Sequence, residues 1–226
     1  MTIPSFLSTV YATDEDIAVR AQGDFWALCP ASQQLAAATD GYFDGGSPWT
    51  LNSLSIDFGA AGVQPGSIVL LTQPKGLFKG AGQMLAVDAA SGHSLTLRRI
   101  GQASGVGQPP APIGGLITVQ FEIRTLGPQI ECASYDINQQ YGIDPLIAVR
   151  APSWVYDRRQ LRQAAILTVL HRQYLSETRT DQGDWKLKLA AVKVELDDAI
   201  DRINLKWGPL GQASPPVGRL SKKISR

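Results

Sequence analysis

The sequence predicts an α+β protein in which a small all-β module is inserted into a helical body. Three observations carry this. Between about residue 50 and residue 125, apolar residues alternate in short runs joined by Gly- and Pro-rich connections. After residue 125 the apolar period becomes helical. A single short amphipathic pattern near the N-terminus is too small to fold alone, so it needs the later helices.

Taken in order, "YATDEDIAVRA" (11–21) reads as a helix start. Thr13 is placed as N-cap, and Glu15 and Asp16 fall in the first turn, where the helix dipole favours negative charge. Ile17 and Val19 supply a small apolar surface. "PASQQLAAATDG" (30–41) reads as a second short helix, opened by Pro30 and stopped near Gly41. Strands are expected over "TLNSLSIDF" (50–58), in the apolar run of "GVQPGSIVLLT" (62–72), on both sides of a Ser-Gly turn in residues 82–100, and over "LITVQFEIRT" (116–125). "QASGVGQPPAPIGG" (102–115) reads as a flexible loop. Five short strands with such connections predict a small β-barrel or sandwich.

Helices follow at 127–142, 156–177 and 184–207. The first runs from Pro128 to Gly142 with Ile130, Tyr135 and Ile137 as apolar positions. The second has Asp157 at its start and a basic face with Arg158, Arg159 and Arg162, read either as solvated surface or as a contact with an acidic neighbour or DNA phosphates. The third carries one stripe, Leu189, Val192, Leu196, Ile200, Ile203 and Trp207, and it is expected to be a subunit interface. The short loop 178–184 makes the last two an antiparallel hairpin with one side in need of a partner. The expected organisation is an N-terminal helical segment (1–49), an inserted β-module (50–125), a helical body (126–207) and an extended C-terminal arm (208–226), with the helical parts forming one unit.

Composition narrows the function. A chain of 226 residues with 44% hydrophobic and 18% charged residues is globular. Net charge is +1, so no global field draws it to nucleic acid or membrane. Arg219, Lys222, Lys223 and Arg226 give the arm +4, which leaves −3 for the rest (+1 minus +4). A basic arm on a mildly acidic body points to a partner for the arm, or else to a solubilising tail. No signal peptide or membrane-length apolar run is read, so the chain is expected to be soluble and made in the cytoplasm.

Catalytic chemistry is hard to find. Cys29 and Cys132 lie in no ligand spacing and read as two buried thiols. His93 falls in a turn and His171 on a helix, with no acid or cysteine cluster to make a metal site. "GLFKGAG" (76–82) lacks the order of a phosphate-cradling loop. Asp197 and Asp198 are adjacent on a helix and point about 100° apart, so they do not form an acid/base pair. Neither an enzyme nor a cofactor is expected, and no helix-turn-helix frame supports a DNA-binding regulator.

Three stretches resemble a known family, the head–tail connector (adaptor) proteins of tailed bacteriophages. They are "YATDEDIAVRA", the helical pair "YDRRQLRQAAILTVLHRQYLSE…DWKLKLAAVKVELDDAIDRINLKW", and "IDFGAAGVQPGSIVLL…GQMLAVDAASGHSLTLRRI", which is similar to small β-barrel modules of phage head–tail proteins. Ser67 stands where those modules more often have Asp, and the inserted β-module departs from the minimal all-helical members. The resemblance implies a helical connector body and a dodecameric ring in the virion neck. That ring would stack on the portal, with a tail terminator or stopper below, and DNA would pass through its channel without sequence-specific binding. It also implies that the arm, through Arg219, Leu220, Lys222, Lys223, Ile224 and Arg226, docks onto the portal. The alternative from the same resemblance is another neck or tail ring protein, a tail terminator or baseplate component.

Overall fold

The structure, a computed structural model, describes residues 9–73, 82–110, 115–144, 146–147, 150–155, 158–180, 184–206 and 208. The chain divides into two compact units, one of residues 13–126 and one formed by the residues before 13 together with those from 127 onward. Mixed α+β architecture with a small barrel is therefore what this sequence builds.

In the 13–126 unit, six strands close into an antiparallel barrel: β1 (Gln34–Phe43), β2 (Thr50–Asn52), β3 (Ile68–Gln73), β4 (Gln83–Ser91), β5 (Ser94–Arg98) and β6 (Leu116–Arg124). Their order around the barrel is β1-β2-β5-β4-β3-β6. Alternation selects the inside: on β5, Leu95 and Leu97 are fully buried between half-exposed Ser94, Thr96 and Arg98. Phe58 and Phe121 meet at the centre with ring centroids 5.7 Å apart. A six-stranded barrel this small is filled by its own side chains.

β3 is buried on both faces. Val69 and Leu71 belong to the barrel core, while Ile68 and Leu70 face the other way and are still covered. The cover over β3 includes α1 (Asp14–Arg20), which packs on this strand through a face that includes Ile17. Val19, on the other side of α1, is 57% exposed. Thr13 caps α1 in a reciprocal box: its hydroxyl accepts from Asp16 N and its own N–H donates to the Asp16 carboxylate. Next comes the single turn α2 (Phe25–Leu28).

The structure differs from the sequence expectation at three places here. Residues 34–41, expected to be helical, form most of β1, because this Ala-rich segment pairs with β6, its end pairs with β2, and tertiary pairing outweighs helix propensity. Residues 53–58 leave the expected strand after Asn52. The Asp40 carboxylate accepts Ser53 Oγ (2.9 Å), Leu54 N (3.0 Å) and Ser55 N (2.8 Å) and turns the chain. Burial would raise the pKa of Asp40, but the bonds from Ser53, Ser55 and Leu54 hold it below the usual range. Finally, α1 belongs to the barrel unit, so only the residues before 13 join the later helices.

The second unit holds α3 (Gly127–Tyr141), α4 (Arg159–Glu177) and α5 (Trp185–Asp201). α3 packs on α4 and α4 on α5. Gly142, at φ 65°, ends α3 and lets Ile143 N bond back to Asn138 O at 2.9 Å. Tyr11 plugs into α3: its N–H donates to Ser134 Oγ and its hydroxyl to Asn138 Oδ1. Burial pushes the phenol up to about 12, so it stays a donor.

At Gly41 the barrel leaves no room for a side chain. A Cβ there would lie 2.8 Å from Val119 O, 2.9 Å from Phe121 Cδ1 and 3.1 Å from Leu51 Cδ1. Gly41→Val is expected to lower the unfolding free energy of this unit by about 1–3 kcal/mol. Urea titration followed by fluorescence measures it, and an unchanged midpoint would contradict the close approach of β1 to β6.

Candidate functional site

The site expected from the sequence has two parts, the arm and the stripe. Arg219, Leu220, Lys222, Lys223, Ile224 and Arg226 lie outside the described residues, as do Trp207, Asp157 and most of "GLFKGAG". The rest of the stripe is on and just after α5. Leu196 and Ile203 are buried, and Leu189, Val192 and Ile200 are half-buried. This face turns inward within one chain. The helical pair is fastened at both ends, where Trp185 stacks on Tyr174 at 5.7 Å and Asn204 N donates to Gln160 Oε1 at 2.8 Å, and α3 reaches α5 as well, through Tyr141 Oη donating to Ile200 O at 3.2 Å.

The surface left outward on α5 is a different one. Leu187 and Val194 are 72% and 69% exposed, with Ala190 and Ala191 exposed between them. The apolar stripe does not include these residues. Two apolar residues seven apart on the polar side are the only signal of them in the sequence.

Charges along α5 pair within the helix. Lys193 Nζ lies 2.9 Å from Asp197 Oδ2, and Arg202 Nη2 lies 2.7 Å from Asp198 Oδ2. Asp197 and Asp198 thus turn to opposite partners and do not act as a pair. Glu195, Asp198 and Arg202 line a shallow polar groove with Gln160 and Gln163 of α4. Arg158, Arg159 and Arg162 are exposed at the start of α4. Arg172 bridges to Asp136 of α3.

The residues with chemical potential sort themselves by burial. Cys29 is buried and its thiol is pushed up first by that burial and then by the Asp14 charge, with Arg124 opposing. Cys132 is exposed, contrary to the expectation of a buried thiol: it falls on the outer side of α3, between buried Ile130 and Ala133. Tyr135, expected as an inward position of the same helix, is 49% exposed. His93 Nδ1 lies 2.7 Å from Ile56 O and pins a turn. Among the described residues, no three His, Cys, Asp or Glu side chains come together as a metal set.

The most heavily invested polar groups are at the start of α1, where the sequence pattern indicates only first-turn anions. Asp14, Glu15 and Asp16 are all buried. Glu15 forms a bidentate ion pair with Arg98 of β5 and accepts Gly101 N at 3.0 Å; Arg98 also reaches Asp88 at 3.2 Å and Gln102 O at 2.9 Å. The connection after β5, expected to be flexible, is tied at its base by this network and further on by Arg99, which donates twice to Gln108 O. Asp14 Oδ1 accepts Leu126 N at 2.7 Å. Burial raises the Asp14 carboxyl to about 6 from 3.8, opposed by hydrogen bonds from Leu126 and Thr125.

A raised folded-state pKa means that the folded chain holds its proton more tightly than the unfolded one. The associated stability is full below about pH 4 and is lost as pH rises to about 6, amounting to about 3 kcal/mol. Asp14→Asn keeps an acceptor and removes the titration. Unfolding free energies of parent and variant, compared from about pH 4 to about pH 7, are expected to diverge by that amount in the variant's favour. A constant difference across the range would refute the assignment.

Comparison with known proteins finds no match to this chain among protein-family models, curated proteins or solved structures.

Proposed function

We propose that the chain is a structural subunit of a head–tail connector (adaptor) ring, non-enzymatic, which docks on a portal through its C-terminal arm and forms part of a DNA channel. The observation that carries the reading is the insertion: a closed barrel of residues 13–126 interrupts a helical unit that ends in the α4–α5 pair and leads into the arm. This organisation accompanies the three stretches whose residues resemble connector proteins. Charge supports it in a second way. A channel that lets DNA slide must avoid adhesive positive walls. This chain concentrates +4 in its arm, leaving −3 elsewhere. The arm is then the element for a fixed neighbour, and a ring multiplies a weak contact per subunit through avidity. On this reading the protein resides in the virion neck, with portal on one side and a terminator or stopper on the other.

Truncation after Gly208 is the direct test. The shortened chain is expected to keep its circular dichroism spectrum and its thermal midpoint while losing co-sedimentation with its cognate portal assembly. Co-sedimentation equal to that of the full chain would remove the arm from the proposal. Negative-stain images of the full chain mixed with portal are expected to show a ring stacked on it, and a particle map placing the chain outside the neck would end the connector reading.

A further inference from the structure

The outward face of α5 has a symmetry of its own. Leu187 and Val194 stand two turns apart on one side, and exposed Ala190 and Ala191 lie midway between them. Spelled as Leu-x-x-Ala-Ala-x-x-Val, this face reads alike from either end. Charge is divided about the same midpoint. Asp184, Lys186 and Lys188 precede it, a net +1, while the stretch after it carries Glu195, Asp197, Asp198 and Asp201 against Lys193 and Arg202, a net −2.

We propose that this face binds the same face of a second copy of the chain, with the two α5 helices antiparallel about a two-fold axis between Ala190 and Ala191. In that arrangement each Leu187 covers the partner's Val194. The two alanines at the crossing allow the helix axes to approach closely, since interaxial distance follows the side chains at the contact. The basic beginning of each helix lies along the acidic end of the other, and the helix dipoles oppose favourably. A parallel arrangement would instead set like charges side by side. The pairs Lys193–Asp197 and Asp198–Arg202 need not break, because their side chains are more than half exposed. The contact is isologous, unlike the head-to-tail contacts of a ring, so the inference does not rest on the connector reading. One apolar strip this short falls below the area of a standard stable interface, so the association is expected to be weak, in the micromolar range.

Light scattering on the full chain, from about 10 to about 500 µM, tests this. The expected mass climbs toward twice 24.3 kDa with concentration. Leu187→Glu or Val194→Lys alone is expected to weaken the association at least about tenfold, since each sets an uncompensated charge against an apolar partner. The double variant L187E/V194K is expected to regain it, because each introduced acid then faces an introduced base of the partner. Both positions are exposed helix surface, and thermal unfolding verifies that the variants fold. A monomer at every concentration overturns the proposal, as does a dimer indifferent to the single substitutions or one that the double variant fails to restore. A higher oligomer insensitive to them would also overturn it. So would a chain that pairs only after removal of residues 209–226, which would make the C-terminal segment the occupant of this face.

Discussion

The constraint on which the rest of the molecule depends is the meeting of Asp14 with Leu126. These residues are 112 positions apart, yet the carboxylate of one accepts the backbone N–H of the other at 2.7 Å. They stand at the two ends of the inserted unit, just after the chain enters it and just before it leaves. Bringing two such distant points together costs about 4 kcal/mol of loop-closure entropy. β1 and β6 bear most of that cost, since their pairing begins at Gln34 opposite Arg124 and already brings the two ends near. Asp14 then sets their geometry. Its burial makes the ionised form unfavourable, so the contact contributes specificity more than stability. Gly66 belongs to the same arrangement: Glu15 N donates to Gly66 O at 2.8 Å, and a Cβ on Gly66 would sit 2.9 Å from the Cβ of Thr13.

Much of this is legible as pattern. The alternation in β5 and β6, the turn at Gly92 and the three long helices follow from local periodicity, and the N-cap at Thr13 follows from residue type. What local pattern does not carry is anything set by partners distant in sequence. The run Ala36-Ala37-Ala38 reads as helical by propensity, and only its pairing with β6, more than 80 residues later, makes it a strand. The acids of "TDED" read as solvated first-turn charges because Arg98, Gly101 and Leu126, which bury them, lie 83 to 112 residues away.

The same limit governs the candidate site. Periodicity identifies the apolar side of residues 185–203 but carries no information on what covers it. The stripe from Leu189 to Ile203 is legible, and its expected partner is a neighbouring copy; in the structure that side faces its own chain. Leu187 and Val194 are not legible as a surface, since two residues make no period. Their meaning depends on knowing which face α4 has already taken.

The two units enclose their apolar side chains unequally. In the barrel unit nearly every large apolar side chain is enclosed; among the described residues only Val19, Leu54 and Val106 are strongly exposed. The helical unit leaves out Val10, Tyr135, Leu146, Ile147, Leu175, Leu187 and Val194. Single exposed apolar residues are ordinary, but their concentration on the smaller core is a consequence of topology. A closed barrel has no free edge and one inside, so it can satisfy its apolar residues alone. Three helices packed mainly in series, α3 on α4 and α4 on α5, with Tyr141 of α3 also bonded to Ile200 of α5, leave outward sides of α3 and α5 exposed. The barrel unit therefore encloses its apolar side chains within itself, while the helical unit keeps exposed apolar positions on α3 and α5.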